Sequence, residues 1–209
     1  MNVGQHTRDW DARFRSSDTP WEDETVPEVV IQLVRAHVPS GALVLEVGCG
    51  TGTTALWLAQ NGYSVVAWDV SPEAIRIAKD RAASEGVTVQ FQVTDILAAA
   101  SEGPRFGTVY SRGVLHTFTE DGGRRAFAAA VARCLSPGGL WLDISGSADN
   151  PDDPIERVHR GLPRVSLTEI AAAVEPDFAI HEVRRCTYGS TPGRTDFLAW
   201  ASVLRRRSP

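Results

Sequence analysis

Residues 42–52, A-L-V-L-E-V-G-C-G-T-G, set an apolar run directly before three glycines at alternate positions, Gly48, Gly50 and Gly52. An apolar run of this kind is buried on both faces, which a parallel sheet with helices on either side provides. Glycines after such a strand let the chain turn tightly and bring its backbone against a ligand with no Cβ in the way. The segment predicts an α/β sheet with a small molecule lying across the first strand-to-helix turn.

The glycine spacing selects the ligand. A dinucleotide fingerprint, G-x-G-x-x-G, sets a pyrophosphate on the N-terminus of the following helix. Here the third glycine comes one residue early, Thr53 stands where glycine is needed, and Glu46 would repel a diphosphate. The pattern E-x-G-x-G-x-G suits a phosphate-free cofactor with an ammonium group. S-adenosylmethionine (SAM) is such a cofactor, and the segment resembles the first motif of the class I SAM-dependent methyltransferases. That resemblance implies cofactor contacts at Glu46, Gly48, Cys49, Gly50 and Gly52.

A second strand, Ser64 to Trp68, ends in Asp69, where a carboxylate can accept both hydroxyls of a ribose. Asp69, with Val70 beside it, is the expected ribose clamp. Helix capping is its other reading, although Ser71 before Pro72 fills that role better. A third strand, Val87 to Val93, delivers Asp95 and Ile96. In the methyltransferase family the matching acidic residue receives the adenine amino group and an apolar neighbour packs on the ring. The resemblance carries those roles to Asp95 and Ile96, with a capping Asp as the alternative.

The fourth strand, Phe106 to Tyr110, leads into Ser111-Arg112-Gly113-Val114-Leu115-His116, a loop expected to hold the acceptor near the switch point of the sheet. The family often has D-x-G-V-L-H-H or D-R-G-A-L here, whereas this chain has Ser111 and Thr117. Arg112 is a candidate for the cofactor carboxylate or a surface arginine. His116 and Tyr110 are the candidate general bases, and a helix-capping histidine is the other reading of His116.

A helix over 124–134 and a turn at Pro137-Gly138-Gly139 precede a fifth strand, Leu140 to Ile144. Ser166-Leu167-Thr168-Glu169 reads as a capping box. Strands at about Ala179 to Arg184 and Phe197 to Leu204 close the sheet as a hairpin around the loop 187–195. The predicted fold is a Rossmann-like, doubly wound, mostly parallel seven-stranded α/β sheet with an antiparallel last strand and helices on both faces.

At the N-terminal end, Trp10-Asp11-Ala12-Arg13-Phe14 and Thr19-Pro20-Trp21 resemble the opening segment of the thiopurine, halide/thiol and tellurite methyltransferases, whose N-terminal aromatics close over the cofactor. Indole faces attract a sulfonium cation and exclude water. Trp10 and Trp21 could equally pin a terminal helix to the core.

A chain of 209 residues, 43% hydrophobic, fits one domain. We divide it into an N-terminal lid and helix (1–40), a cofactor-binding core (41–145) and a substrate loop with closing strands (146–209). A net charge of −5 argues against nucleic acid, and the basic cluster Arg205-Arg206-Arg207 reads as a solvated terminus. Cys49, Cys134 and Cys186 have neither metal-ligand nor disulfide spacing, and no stretch is long enough to span a bilayer. The expectation is a cytoplasmic monomer or homodimer, binding neither nucleic acid nor membrane, that moves the methyl group of SAM to a small thiol, halide, hydroxyl or amine. Arg160, Arg164, Arg185 and Arg194 hint at an anionic or polar substrate. The alternatives are a non-catalytic SAM-binding protein and an NAD(P)-dependent oxidoreductase, which the glycine spacing disfavours.

Overall fold

The computed structural model describes residues 10–99, 106–119, 122–149, 163–188 and 198–208. Seven strands form one sheet: β1 (Leu43–Val47), β2 (Ser64–Asp69), β3 (Gln90–Val93), β4 (Phe106–Arg112), β5 (Leu135–Gly146), β6 (Phe178–Thr187) and β7 (Leu198–Arg206), in the order β3-β2-β1-β4-β5-β7-β6. Pairing is parallel from β3 through β5, and β7 runs antiparallel to both of its neighbours. Helices α1 (Glu28–His37), α2 (Thr53–Gln60), α3 (Pro72–Glu85), α4 (Gly123–Cys134) and α5 (Leu167–Val174) accompany it, and residues 10–15 are also helical.

The apolar run of β1 is explained by burial on both faces. Val44 packs with α1, α2 and α3 through Leu33, Ala55 and Ile75, whereas Leu45 and Val47 face the opposite cluster containing Phe127 and Val131 of α4 and Ile170 of α5. Helix starts follow local chemistry. Ser71 accepts the Ala74 N–H with Pro72 at the first helical position, and Ser166 and Glu169 close a reciprocal capping box on α5.

Two boundaries differ from expectation. The third strand begins at Gln90, because the Val87 N–H is bonded to the Ala82 carbonyl and finishes the cap of α3 around left-handed Gly86. The Pro137-Gly138-Gly139 turn lies inside β5, which pairs at Leu135 and again from Leu140, so the intervening residues form a bulge against β4. The closing hairpin is present, but β7 inserts between β5 and β6, leaving β6 at the sheet edge. Most of the loop 187–195, and Phe197, lie outside the described residues.

The sheet order reverses between β1 and β4, whose carboxyl ends stand side by side, with Glu46 opposite Tyr110 and Val47 opposite Ser111. Open α/β sheets bind ligands at this place.

Candidate active site

The first turn is built around positive-φ glycines. Gly48 and Gly50 adopt φ of 70° and 52°, and the Gly48 and Cys49 N–H groups donate to the Trp68 carbonyl of β2 at 2.8 and 3.0 Å. A Cβ on Gly48 would collide with Val114, and one on Gly50 with the Glu22 carboxylate. Asp69 joins this turn to the next: one oxygen accepts the Gly50 N–H and the other the Ser71 N–H, both at 2.9 Å. Burial, partly opposed by those N–H groups, pushes its carboxyl up to about 6. Glu46 is buried beside it, and its Oε2 has no hydrogen-bond partner among the described residues. Burial, with Glu22 and Asp69 close by, outweighs Arg112 and the Ala55 N–H and raises Glu46 to about 8.

The segment after the first helical residues, 10–15, closes over this turn. Glu22 accepts from the Thr51 hydroxyl, and Asp23 forms a 2.7 Å ion pair with Arg112. Asp11 accepts from the Ser71 hydroxyl and the Glu73 N–H, fastening the same segment to the start of α3. Trp21 meets Trp10 and Phe14 edge-on, and the Arg13 guanidinium lies 4.1 Å from the centre of the Trp21 ring.

Opposite this segment the cavity is lined by Val114, His116, Phe118, Phe127 and Tyr188. Phe118 and Phe127 stack at 5.2 Å, and the His116 and Tyr188 rings lie 5.8 Å apart. His116 is in the short helical turn Leu115–Thr117, where its Nδ1 accepts the Gly146 N–H of β5 at 2.8 Å. Burial, assisted by Arg124, Arg112 and Arg164, lowers its pKa to about 4.

The profile of a family described as a methyltransferase domain matches residues 44–139, from β1 through the glycine turn and β4 to the bulge in β5. Over that stretch the chain is similar to the class I SAM-dependent methyltransferases. The 2-heptyl-1-hydroxyquinolin-4(1H)-one methyltransferase of Mycobacteroides abscessus is 32% identical over 124 residues, which cover 59% of this chain and 54% of that protein. This chain thus spans about half the length of that relative. A structure described under the conversion of a disulfide bond into a thioacetal group during echinomycin biosynthesis superposes with a TM-score of 0.80 at 28% identity, covering 97% of this chain and 94% of the other. The N-methyltransferase NodS from Bradyrhizobium japonicum, in complex with S-adenosylhomocysteine, shares the fold with a TM-score of 0.73 at 20% identity, covering 97% and 99% of the two chains.

SAM is the cofactor of this methyltransferase family, and the residues present fit it. An unpartnered, buried carboxylate oxygen on Glu46 is what an ammonium group requires, since an isolated buried acceptor is otherwise unfavourable. The structure brings Trp10, Trp21, Glu46, Gly48, Cys49, Gly50, Asp69, Val70, Asp95, Ile96 and Arg112 to one cavity. Asp95 also accepts the Leu97 N–H at 2.9 Å, so it shapes its own turn.

Three expectations need correction. Gly52 does not line the cavity: at φ 87° it starts α2, and its Cα is packed where a Cβ would meet Ala78 and Phe91 at 3.1 Å. Arg112 lines the cavity and also pairs with Asp23, which secures the N-terminal segment to it. Tyr110 is fully buried in the core, away from the cavity, and burial raises its phenol above the usual range, so it cannot serve as a base. His116 is also unsuited to that role, because the Gly146 N–H occupies Nδ1 and the neutral ring then carries its proton on Nε2. The unusual Ser111 faces away from the cavity, bonded to Asp143 at 2.7 Å and to the Trp141 indole N–H at 2.9 Å.

Sequence reasoning missed Glu22, Asp23, Phe118, Phe127 and Tyr188. An acidic pair directly after Thr19-Pro20-Trp21 was an available signal for the first two. Tyr188 reaches the site only through the sheet order and had none. Replacing Tyr110 by Phe is expected to leave the methyl-transfer rate and its pH profile unchanged within about twofold, because the hydroxyl makes no hydrogen bond of good geometry and does not line the cavity. A rate measured across pH checks this.

Proposed function

We propose that this chain is an enzyme that transfers the methyl group of SAM to a small-molecule acceptor by in-line displacement. The observation that carries the reading is the buried Glu46 Oε2, without a hydrogen-bond partner among the described residues, at the glycine turn beside Asp69, where the sheet order reverses. Bound SAM supplies a methyl on a cationic sulfur, whose bond breaks with its electron pair going to sulfur as the acceptor's lone pair forms the new bond.

Glu46 holds the amino group of the cofactor and Asp69 its ribose hydroxyls, while Asp95 and Ile96 take the adenine. Trp10 and Trp21 exclude water above the sulfur, one face of Trp21 being already supported by Arg13. The protein's contribution is mainly to hold donor and nucleophile within reach of each other. The aromatic N-terminal segment over the cavity favours the thiopurine, halide/thiol and tellurite branch, and the hydroxyquinolinone named for the Mycobacteroides relative favours a small, flat acceptor. No described helix is long and apolar enough to cross a membrane.

Calorimetry with SAM, S-adenosylhomocysteine and NADH, followed by a labelled-methyl screen across thiols, halides, phenols and amines, tests this reading. Heat with the first two and label on at least one acceptor are expected. Heat without label would return the chain to a SAM sensor, and heat with NADH alone to an oxidoreductase.

A further inference from the structure

The acceptor wall differs sharply in charge from the cofactor end. Glu22, Glu46 and Asp69 gather at the glycine turn, whereas the charged groups acting on His116 are all cations: Arg112 from β4, Arg124 from α4 and Arg164 from the segment before α5. Arg112 and Arg124 are held by Asp23 and Glu169 at 2.7 Å, so their positions are fixed. Tyr188, following β6, sets its ring 5.8 Å from the imidazole at a tilt of 48°. Phe118 and Phe127 complete a flat apolar wall.

His116 has its Nδ1 committed to the Gly146 N–H, while Nε2 has no hydrogen-bond partner among the described residues. The ring lines the cavity and carries its proton on Nε2. We propose that His116 is a positioning donor, whose Nε2–H holds the nucleophilic atom of an acceptor that enters already ionised, a flat thiolate or acidic phenolate-type oxygen. The inference rests on the methyltransferase reading and adds the charge state of the substrate to it. The acceptor gives its proton to solvent before it binds, its lone pair forms the bond to methyl, and no proton is transferred to the protein. The low pKa of His116 agrees with a ring that stays neutral throughout.

The test uses ring-substituted thiophenols and phenols of graded acidity with the wild-type chain and with His116→Gln and His116→Leu. Glutamine can accept from Gly146 and still donate; leucine can do neither. The acid limb of the wild-type rate should move with the acidity of each acceptor. His116→Gln should retain most of the rate, and His116→Leu should lose about ten- to a hundredfold, as expected for one hydrogen bond to a charged atom. A limb that stays at one pH for every acceptor and vanishes in His116→Gln would mark a general base and overturn the proposal. A second readout needs no turnover. In protein with 15N-labelled imidazole and bound S-adenosylhomocysteine, Nε2 should stay protonated across the neutral range and shift when nitrophenolate is added. A protonated Nδ1, or an Nε2 signal indifferent to the phenolate, overturns it. Absence of heat with S-adenosylhomocysteine would instead remove the methyltransferase reading beneath it.

Discussion

Replacement of Asp69 by Ala is expected to weaken SAM binding by on the order of a hundredfold or more, with Asp69→Asn falling between that variant and the wild type. The carboxylate does two things at once. Each oxygen already accepts a backbone N–H at 2.9 Å, from Gly50 on one side and Ser71 on the other, and each retains acceptor capacity toward the cavity. Hydrogen bonds to a charged group are worth about 1.5–3 kcal/mol each, so losing ribose contacts and turn geometry together exceeds the factor from either alone. Titration calorimetry on variants whose circular dichroism matches the wild type measures the effect. An affinity within about threefold of wild type would mean that the ribose is held elsewhere.

SAM binding is also expected to strengthen steeply as pH rises through neutrality. In the ligand-free fold Glu46 keeps its proton up to about 8, against an ordinary value of 4.5. An ammonium group needs the ionised carboxylate, so below that pH binding must expel a proton, and affinity rises by up to tenfold per pH unit before levelling above about pH 8. Asp69, raised to about 6, steepens the dependence at lower pH. Ligand-free stability runs the other way. A carboxyl with a raised folded value contributes fully below its unfolded value, and that contribution is lost as pH climbs toward 8. Calorimetry at neutral pH in two buffers of different ionisation heat counts the released proton, and Glu46→Gln should bind weakly with the slope flattened. A wild-type affinity that is level from pH 6 to pH 8 would show that Glu46 does not meet the cation.

Much of this arrangement was legible from local signals. The apolar run before Glu46 specified a strand buried on two faces, and the spacing of Gly48 and Gly50 specified a turn open to a ligand without phosphates. Asp69 followed from its place at the tip of the adjacent strand. Legibility was lost where a side chain's role depends on orientation. Tyr110 and Arg112 lie in β4, but the tyrosine ring is buried in the core whereas the guanidinium lines the cavity and reaches Asp23 from a segment almost ninety positions away. His116 was legible as a site residue but not in its protonation, because the Gly146 N–H that fixes the ring comes from the far end of β5. Gly52 shares the spacing of its neighbours yet serves packing against Phe91, a contact invisible without α3 and β3 in place.

The insertion of β7 between β5 and β6 constrains the order in which the molecule can assemble. As the polypeptide leaves the ribosome, β6 emerges with no sheet neighbour, and β5 keeps one flank exposed, until the stretch from Leu198 onward follows. The amino-terminal half, with the glycine turn and Asp69, can condense while translation continues, since its strands join partners made before or soon after them. The other half must wait and close in a single late event, so a pause before that stretch leaves two unsatisfied edges open to mispairing.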